Sequence, residues 1–240
     1  MSEWAPKRFW TETTVTEGDA GFGIALDGRP VKTPAKAALL VPTRALAEAI
    51  AAEWDAQAET VDPRTMPVTR GANAAIDKVS RQHTEVAEML AAYGDSDLTC
   101  YRADAPMSLV ARQAEGWDPL LDWVEETYGV RLEPRTGVMP VPQPPETLAR
   151  LAREVHAMTP FALTGFHDLV SLSGSLVIGL AATRDLQPID VLWDLSRIDE
   201  TFQAEEWGVD EEAAEAEAIK RASFLRAKQF FDMSRIASVS

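Results

Sequence analysis

The chain has 240 residues, of which 46% are hydrophobic, and its formal net charge is −15. A chain of this size and composition can bury a large core, in one domain or in two unequal ones. The negative charge repels phosphate backbones and no run of lysine or arginine offsets it, which argues against nucleic-acid binding. The same charge suits a generally acidic surface or the attraction of a basic partner.

Residues 8 to about 41 have the pattern of short β-strands. Hydrophobic residues alternate with small or polar ones over residues 22–26, which is the two-residue period of a strand. Asp27 and Gly28 form a hairpin-turn signal directly after this segment. Thr43 is then predicted to be the N-cap of a helix. The first 60 or so residues therefore predict a small β-rich unit with one helix.

The rest of the chain has helical spacing of its hydrophobic residues. Two prolines between residues 61 and 67 place the predicted domain boundary after residue 66. Helices are predicted over residues 72–93, 109–128, 147–158, 161–183, 188–207 and 210–232. The sequence therefore predicts an α+β fold, with a small N-terminal β-rich domain at residues 1–66 and a larger all-helical domain at residues 67–240.

The most apolar segment, residues 161–182, also contains His167, Asp168 and three serines. Charged and polar residues of this kind are rare in membrane spans, so we expect a buried helix and no membrane insertion. Five prolines between residues 134 and 145 predict a long ordered connector.

The predicted helix over residues 188–207 is apolar on one side and polar on the other. Its apolar stripe has the spacing i, i+4, i+7 and i+11 and consists of Val191, Leu195, Ile198 and Phe202. Asp199 and Gln203 lie beside that stripe, Glu200 lies a turn beyond Arg197, and Gly208 is predicted to end the helix. Carboxylates, an amide and the indole of Trp207 suit binding of a partner, whereas a nucleophile, a metal pair and a phosphate loop are all missing from residues 197–208.

The candidates for catalysis are few. His167 and Ser171 share a helix face, but the adjacent His167 and Asp168 are expected to point in different directions on a buried helix. A histidine of the core or of a helix start is therefore the favoured interpretation. The alternative is a hydrolase or transferase that uses His167, Asp168 and nearby serines in a pocket between the domains.

The sequence predicts no metal site and no cofactor. It contains no His-x-x-x-His, no Cys-x-x-Cys and no glycine-rich phosphate loop. Cys100 is the single cysteine, so an intramolecular disulfide is excluded and the reducing interior of a cell is the natural setting. We expect its thiol to be a small buried hydrophobic group.

Several separated blocks, taken in order, resemble one protein family. The blocks are KRFW at residues 7–10, LDGRPVKTP at 26–34, EWDAQ at 53–57, DPRTMPVT at 62–69, NAAID at 73–77, LSRIDETFQ at 195–203 and WG at 207–208. Together they resemble the assembly chaperone of the F-type ATP synthase that handles the α subunit of the catalytic head. Several blocks in the right order are more specific than any one of them.

The resemblance implies a fold and a function. It implies a β-rich N-terminal domain and a helical C-terminal domain, as the hydrophobic pattern does. It implies no enzymatic activity, but a chaperone that binds the newly made α subunit and prevents its aggregation before the β subunit joins. It also implies a critical acidic residue at Asp199 or Glu200, without deciding which. A general scaffold that binds many unfolded clients equally well is a weaker third hypothesis.

Five residues of the predicted helix over residues 188–207 are candidates for contact with the α subunit. The residues predicted to bind the α subunit are Asp199, Glu200, Phe202, Gln203 and Trp207. No presequence is recognised at the N-terminus, and the composition is typical of bacterial proteins, so we expect the bacterial cytoplasm. We also expect the protein to be a monomer. For a mature eukaryotic form, the mitochondrial matrix is expected instead.

Overall fold

The computed structural model describes residues 7–137 and 141–235. The chain divides into two compact units, each built from more than one segment. The first comprises Met1–His83, Thr159–Gly165 and Gln229–Ser240, and the second comprises Thr84–Met158 and Phe166–Lys228. The predicted α+β fold, with strands at the N-terminal side followed by a mostly helical chain, is confirmed. The boundary after residue 66, which concerns independently folding domains, stays a prediction.

The first unit contains a small antiparallel sheet. Its strands are β1 (Thr13–Gly18), β2 (Gly21–Leu26), β3 (Arg29–Pro30) and β4 (Leu40–Val41), and β2 pairs with each of the other three. Leu26 pairs with Arg29 across a two-residue turn. Both turn residues, Asp27 and Gly28, have positive φ angles, 47° and 73°. Such angles match the twist of flanking strands, so the predicted hairpin is confirmed.

One helix covers this sheet. Helix α1 (Arg44–Asp55) begins at Thr43, whose hydroxyl accepts a hydrogen bond from the Leu46 amide at 3.2 Å, as predicted for an N-cap. Its buried residues join a hydrophobic core with the inward side chains of the strands and with Phe230 from the third segment of the unit. This core includes Trp10, Ile24, Val41, Leu46 and Ile50.

Nine further helices follow in the chain that the structure describes. They are α2 (Pro67–Ala74), α3 (His83–Ala91), α4 (Met107–Tyr128), α5 (Pro145–His156), α6 (Pro160–Ser173), α7 (Leu176–Thr183), α8 (Ile189–Leu195), α9 (Ile198–Trp207) and α10 (Glu211–Ser234). A parallel pair of two-residue strands, β5 (Tyr101–Arg102) and β6 (Arg135–Thr136), lies in the second unit. Across the described part of the chain, every helix is too short or too polar to span a bilayer.

Three segments that were each predicted to be one continuous helix are divided in the structure, so these predictions are wrong. The segment 72–93 is divided because α2 passes into a π-helical turn at Ala75–Val79 and the chain then turns before α3. The segment 161–183 is divided at Gly174, whose φ of 73° belongs to the left-handed region. The new helix, α7, begins at Ser175, whose hydroxyl accepts a hydrogen bond from the Ile178 amide at 3.0 Å.

The third division separates α8 from α9. Ser196 donates from its hydroxyl to the Trp193 carbonyl at 2.6 Å, and Arg197 has a φ of −117°, outside the helical range. The hydrophobic spacing continues across this break because Ile198 and Phe202 are buried on the far side of it. Periodicity alone therefore predicted one helix where the backbone forms two.

Candidate functional site

Helix α9 packs antiparallel against the N-terminal half of α4. The indole nitrogen of Trp117 donates to the Leu195 carbonyl, just before α9, at 2.8 Å. Further along, Gln113 bonds to Asp199 and Arg112 bonds to Glu205. Residue numbers fall along α4 as they rise along α9, so the start of α4 and the end of α9 lie at the same end of this helix pair.

Asp199 faces the interior of the pair. Its Oδ1 accepts a hydrogen bond from Nε2 of Gln113 at 2.6 Å, and Gln113 is 1% exposed. The Gln113 Oε1 in turn accepts from the Ala103 amide at 2.8 Å. Ala103, Gln113 and Asp199 are therefore linked by consecutive hydrogen bonds that hold α9 against α4. The Asp199 carboxylate is used for this contact.

Glu200 is exposed, but its carboxylate also has a neighbour. Nη1 of Arg197 lies 2.8 Å from Oε1 of Glu200. The same guanidinium lies 5.0 Å from the Trp193 ring centroid, and its Nη2 donates to the Ser173 carbonyl at the end of α6 at 3.3 Å. An exposed ion pair contributes little stability. A lysine at position 200 would nevertheless place a second positive charge beside Arg197, which donates a hydrogen bond to a carbonyl at the C-terminal end of α6.

Three of the predicted contact residues share one exposed face of α9. Glu200, Gln203 and Trp207 have the spacing i, i+3 and i+7, and all three are exposed, Trp207 to 81%. Phe202 is only 7% exposed, and the Arg112 guanidinium lies 5.4 Å from its ring centroid, so its side chain is part of the core. The roles of these residues in binding remain predictions.

The α9 helix ends as its sequence predicts. Gly208 has a φ of 93°, and its amide donates to the Ala204 carbonyl at 3.0 Å. One turn earlier, Glu205 bonds to Arg112 at 2.7 Å. That hydrogen bond lowers the pKa of the Glu205 carboxyl and raises the pKa of the Arg112 guanidinium. Glu205 is therefore ionised at neutral pH and forms an ion pair with Arg112 of α4.

Two exposed apolar residues near this end were missed by the sequence interpretation. Met107, the first residue of α4, is 72% exposed, and Val209, just beyond α9, is 70% exposed. Neither belongs to an apolar stripe of its own, so periodicity gives no reason to connect them. The antiparallel pairing places the start of α4 and the end of α9 at the same end of the helix pair.

The candidate catalytic pair differs from its prediction. Helix α6 is largely buried, as expected, but the expectation that His167 and Asp168 point apart is wrong. Nδ1 of His167 lies 2.8 Å from Oδ1 of Asp168, and the two side chains are 43% and 55% exposed. Neighbouring side chains can meet because both lie on the outer surface of α6, where solvent leaves room for them to turn. The hydrogen bond to Asp168 raises the pKa of His167.

This pair lacks the rest of a catalytic arrangement. Ser171 is exposed on the same helix, and within residues 7–137 and 141–235 no hydrogen bond connects it to His167. In those same residues, no group of three or more histidine, cysteine, aspartate or glutamate side chains could hold a metal ion. Cys100 is buried, and burial raises the pKa of its thiol to about 12, so it is a poor nucleophile.

Comparison with known proteins gives one consistent family. The model of the family described as "ATP12 chaperone protein" matches residues 7–125. A curated relative, "Protein atp12, mitochondrial" of Schizosaccharomyces pombe, is 28% identical over 222 residues, which cover 87% of this chain and 76% of the relative.

The solved structures of this family are more similar still. Atp12 from Paracoccus denitrificans is 49% identical, with a TM-score of 0.94, over 97% of this chain and 100% of that one. An aspartate-to-lysine mutant of the same protein is 48% identical, also with a TM-score of 0.94, over 98% of this chain and 100% of the mutant. The mutant therefore keeps its fold after that charge reversal. On these matches, the chain belongs to the ATP12 chaperone family.

Proposed function

We propose that this chain is a non-enzymatic chaperone that binds the newly made α subunit of the ATP synthase catalytic head and prevents its aggregation before the β subunit joins it. Membership of the ATP12 chaperone family supports a role in assembly of the F1 ATP synthase. The observation that carries the proposal is Trp207, which is 81% exposed at the end of α9. Indole side chains are among the commonest energetic centres of protein interfaces.

The physical task of such a chaperone explains the chemistry of α9. A ring subunit without its neighbours exposes apolar surface, and such surface aggregates. A chaperone protects it with apolar side chains surrounded by charge. Trp207 supplies apolar area, while Glu200 and Gln203 on the same face supply a charge and a hydrogen-bonding amide. Charge of this kind contributes specificity and a faster encounter more than affinity.

The enzymatic alternative is less well supported by the geometry. His167 and Asp168 are two of the three residue types of a catalytic triad, but the described serines add no hydrogen bond to that pair. We infer that the pair is a surface ion pair of α6. The proposal includes a monomer acting in the bacterial cytoplasm, or in the mitochondrial matrix for a eukaryotic form.

Co-expression with the α subunit of the same ATP synthase tests the proposal. We expect a soluble complex of the two chains in size-exclusion chromatography and less α subunit in the insoluble fraction. Trp207→Ala should lower the yield of the complex by about tenfold, as expected for an interface hot spot. Met89→Ala is the matched control, because Met89 is an exposed apolar residue of α3 and its truncation should change little.

Glu200 is better tested by neutralisation than by reversal. Glu200→Gln removes the charge without placing a like charge beside Arg197, so a loss of complex would report on the client. His167→Ala should leave complex formation unchanged. If the wild-type chain neither binds nor solubilises the α subunit, the proposed function is wrong.

A further inference from the structure

Arg197 lies between α8 and α9, and buried groups hold its guanidinium on several sides. Its Nε donates to the Ser196 hydroxyl at 3.2 Å, and its Nη2 donates to the Ser173 carbonyl at 3.3 Å. Its Cζ lies 5.0 Å from the centroid of the Trp193 ring. Ser173, Trp193 and Ser196 are all buried, and the Arg197 side chain is itself only 15% exposed. The position of this guanidinium is therefore fixed by the core of the second unit.

The remaining terminal nitrogen of Arg197 binds Glu200. Nη1 donates to Oε1 of Glu200 at 2.8 Å, and Glu200 lies in the first turn of α9 with 52% of its side chain exposed. Among residues 7–137 and 141–235, no group donates a hydrogen bond to the second carboxylate oxygen, Oε2. One oxygen of this exposed carboxylate is therefore held by a fixed cation, and the other is available to a partner.

Holding the carboxylate in advance favours the binding of a partner. An exposed glutamate side chain has several rotamers, and a partner that fixes it must overcome the loss of that freedom. The contact with Arg197 orders the Glu200 carboxylate before the partner arrives. It does not prevent a second contact, because an ionised carboxylate has two oxygens and about four lone-pair sites. A second cation can therefore bind at Oε2 while Arg197 stays at Oε1.

The ordinary alternative is an ion pair that serves only α9. Ion pairs between residues three apart on a helix are common, and they contribute little when both side chains are mobile and exposed. In this pair only Glu200 is exposed, because Arg197 has further contacts with Ser173 and Trp193 that do not involve the carboxylate. Arg197 therefore determines where the Glu200 carboxylate lies, and not the reverse.

The surroundings of Glu200 indicate the chemistry of its partner. Gln203 and Trp207, the other exposed residues proposed to contact the client, follow it on the same face of α9. Nearly all of the chain's net charge of −15 belongs to the second unit, which contains this face. A carboxylate in so acidic a unit favours a cationic group of the partner.

We propose that Arg197 is a positioning residue for client binding, which holds Oε1 of Glu200 so that Oε2 binds a lysine or arginine side chain of the client. Arg197 itself does not contact the client. This role rests on the proposed chaperone function, in which the client is the α subunit. It adds to that function a residue that acts only through Glu200, and it gives the chemistry of the group that Glu200 binds.

A double-mutant cycle on the complex with the α subunit tests this role. Each variant is purified as a complex after co-expression, and displacement by an excess of fluorescently labelled wild-type chain gives the dissociation rate. The cycle consists of the wild type, Arg197→Gln, Glu200→Gln and the double variant. Arg131→Gln is the matched control, because it removes the same charge from an arginine that binds two exposed carboxylates, those of Asp122 and Glu125. Urea denaturation shows whether each variant is folded.

The expected effect of Arg197 depends on Glu200. Arg197→Gln should speed dissociation about fivefold when Glu200 is present but less than about twofold in the Glu200→Gln background, as coupled residues do. Arg131→Gln should change the rate less than about twofold. If Arg197→Gln does not fold, Arg197→Lys replaces it in the cycle. Lysine keeps the charge but lacks the planar fork that holds Ser173 and Glu200 together, so we expect the same dependence at about threefold.

Different results would overturn this role. Equal acceleration by the Arg197 variant in both backgrounds would show that Arg197 acts only on packing, and the chaperone function would stand. An unchanged dissociation rate in Glu200→Gln would show that this carboxylate does not bind the client, again without contradicting the chaperone function. If the wild-type chain forms no complex with the α subunit, both the positioning role and the proposed function are wrong.

Discussion

Gln113 and Asp199 are joined by a 2.6 Å hydrogen bond between residues that lie 86 positions apart in the sequence. This contact gives the two adjacent acidic residues of α9 different tasks. Asp199 holds a buried amide of α4, whereas Glu200 faces solvent beside Arg197. A change at Asp199 therefore acts first on the packing of α9, and a change at Glu200 acts first on the surface.

Asp199→Ala should lower the free energy of unfolding by about 1–3 kcal/mol, because it leaves the nearly buried Nε2 of Gln113 without an acceptor. Glu200→Gln should change it by less than about 0.5 kcal/mol, since exposed pairs contribute little. Urea denaturation of both variants checks the difference. Equal effects on unfolding would contradict the distinction between the two carboxylates.

Asp97→Ala should lower the free energy of unfolding more than Asp199→Ala or Glu200→Gln does. Asp97 is fully buried and accepts hydrogen bonds from the Thr99 amide at 3.0 Å, the Ser175 hydroxyl at 2.7 Å and the Val177 amide at 3.0 Å. Burial raises the pKa of its carboxyl, against the effect of these donors. Removing it leaves several buried donors unsatisfied, and we expect a loss of about 2–4 kcal/mol in urea denaturation.

A control separates this effect from the loss of an acidic charge. Asp104 is exposed, so Asp104→Ala should change the unfolding free energy by less than about 0.5 kcal/mol. Because Asp97 connects the Leu98–Cys100 turn to the start of α7, the Asp97 variant should also lose protection of α7 amides in hydrogen exchange. Unchanged protection there would contradict this structural role.

The sequence predicted the features that depend on local chemistry. The Asp27-Gly28 turn, the Thr43 cap and the Gly208 stop each follow from what one or two residues allow the backbone to do. Gly174 lies inside the single helix predicted over residues 161–183, although its positive φ ends α6. A glycine within a hydrophobic period does not by itself reveal whether the helix continues through it or ends there.

The site was predicted less completely because it depends on distant pairing. The outward face with Glu200, Gln203 and Trp207 follows from helical spacing within one segment. The inward direction of Asp199 depends on Gln113, and the burial of Phe202 depends on packing that includes Arg112.

Cys100 should be unreactive in the native protein. It is 1% exposed, and burial raises the pKa of its thiol to about 12, so almost none of it is thiolate at pH 8. Since it is the only cysteine, a chromogenic thiol reagent measures this residue alone. We expect no native reaction and one equivalent of colour after unfolding in urea. Rapid reaction of the folded chain at pH 8 would show that the thiol is accessible.

His167 should remain protonated to a higher pH than an ordinary histidine, because the hydrogen bond to Asp168 raises its pKa. Its folded-state pKa lies above the unfolded value of 6.5, so its contribution to stability is present below about pH 6.5 and is lost as the pH rises through the folded pKa. Asp168→Asn should lower the pKa of His167, which NMR titration of its ring protons measures.

The chain has three histidines, and His167→Gln identifies the resonance. The expected effect on stability is small because both side chains are partly exposed. An unchanged pKa in Asp168→Asn would show that the pair contributes nothing to the titration of His167.

Two glycines should respond differently to alanine, although an added Cβ meets a neighbour at 2.6 Å in both cases. At Gly179 the neighbour is Cγ2 of Val170, with the Phe166 ring at 3.1 Å behind it. Valine is stiff about χ1, and Val170 and Phe166 are fully buried, so neither can move aside. Gly179→Ala should therefore lower the unfolding free energy by about 1–3 kcal/mol.

At Gly116 the neighbours are the ends of longer side chains, Cδ1 of Ile198 and Cδ2 of Leu195. Leu195 is only half-buried and can turn towards solvent, and alanine gains about 1 kcal/mol over glycine within a helix. Gly116→Ala should therefore be close to neutral in urea denaturation, at least about 1 kcal/mol more stable than Gly179→Ala. If Gly116→Ala proves the more damaging of the two, the contact of α4 with α9 is too rigid for these side chains to yield, and any loss of client binding in that variant would have to be attributed to a displaced α9.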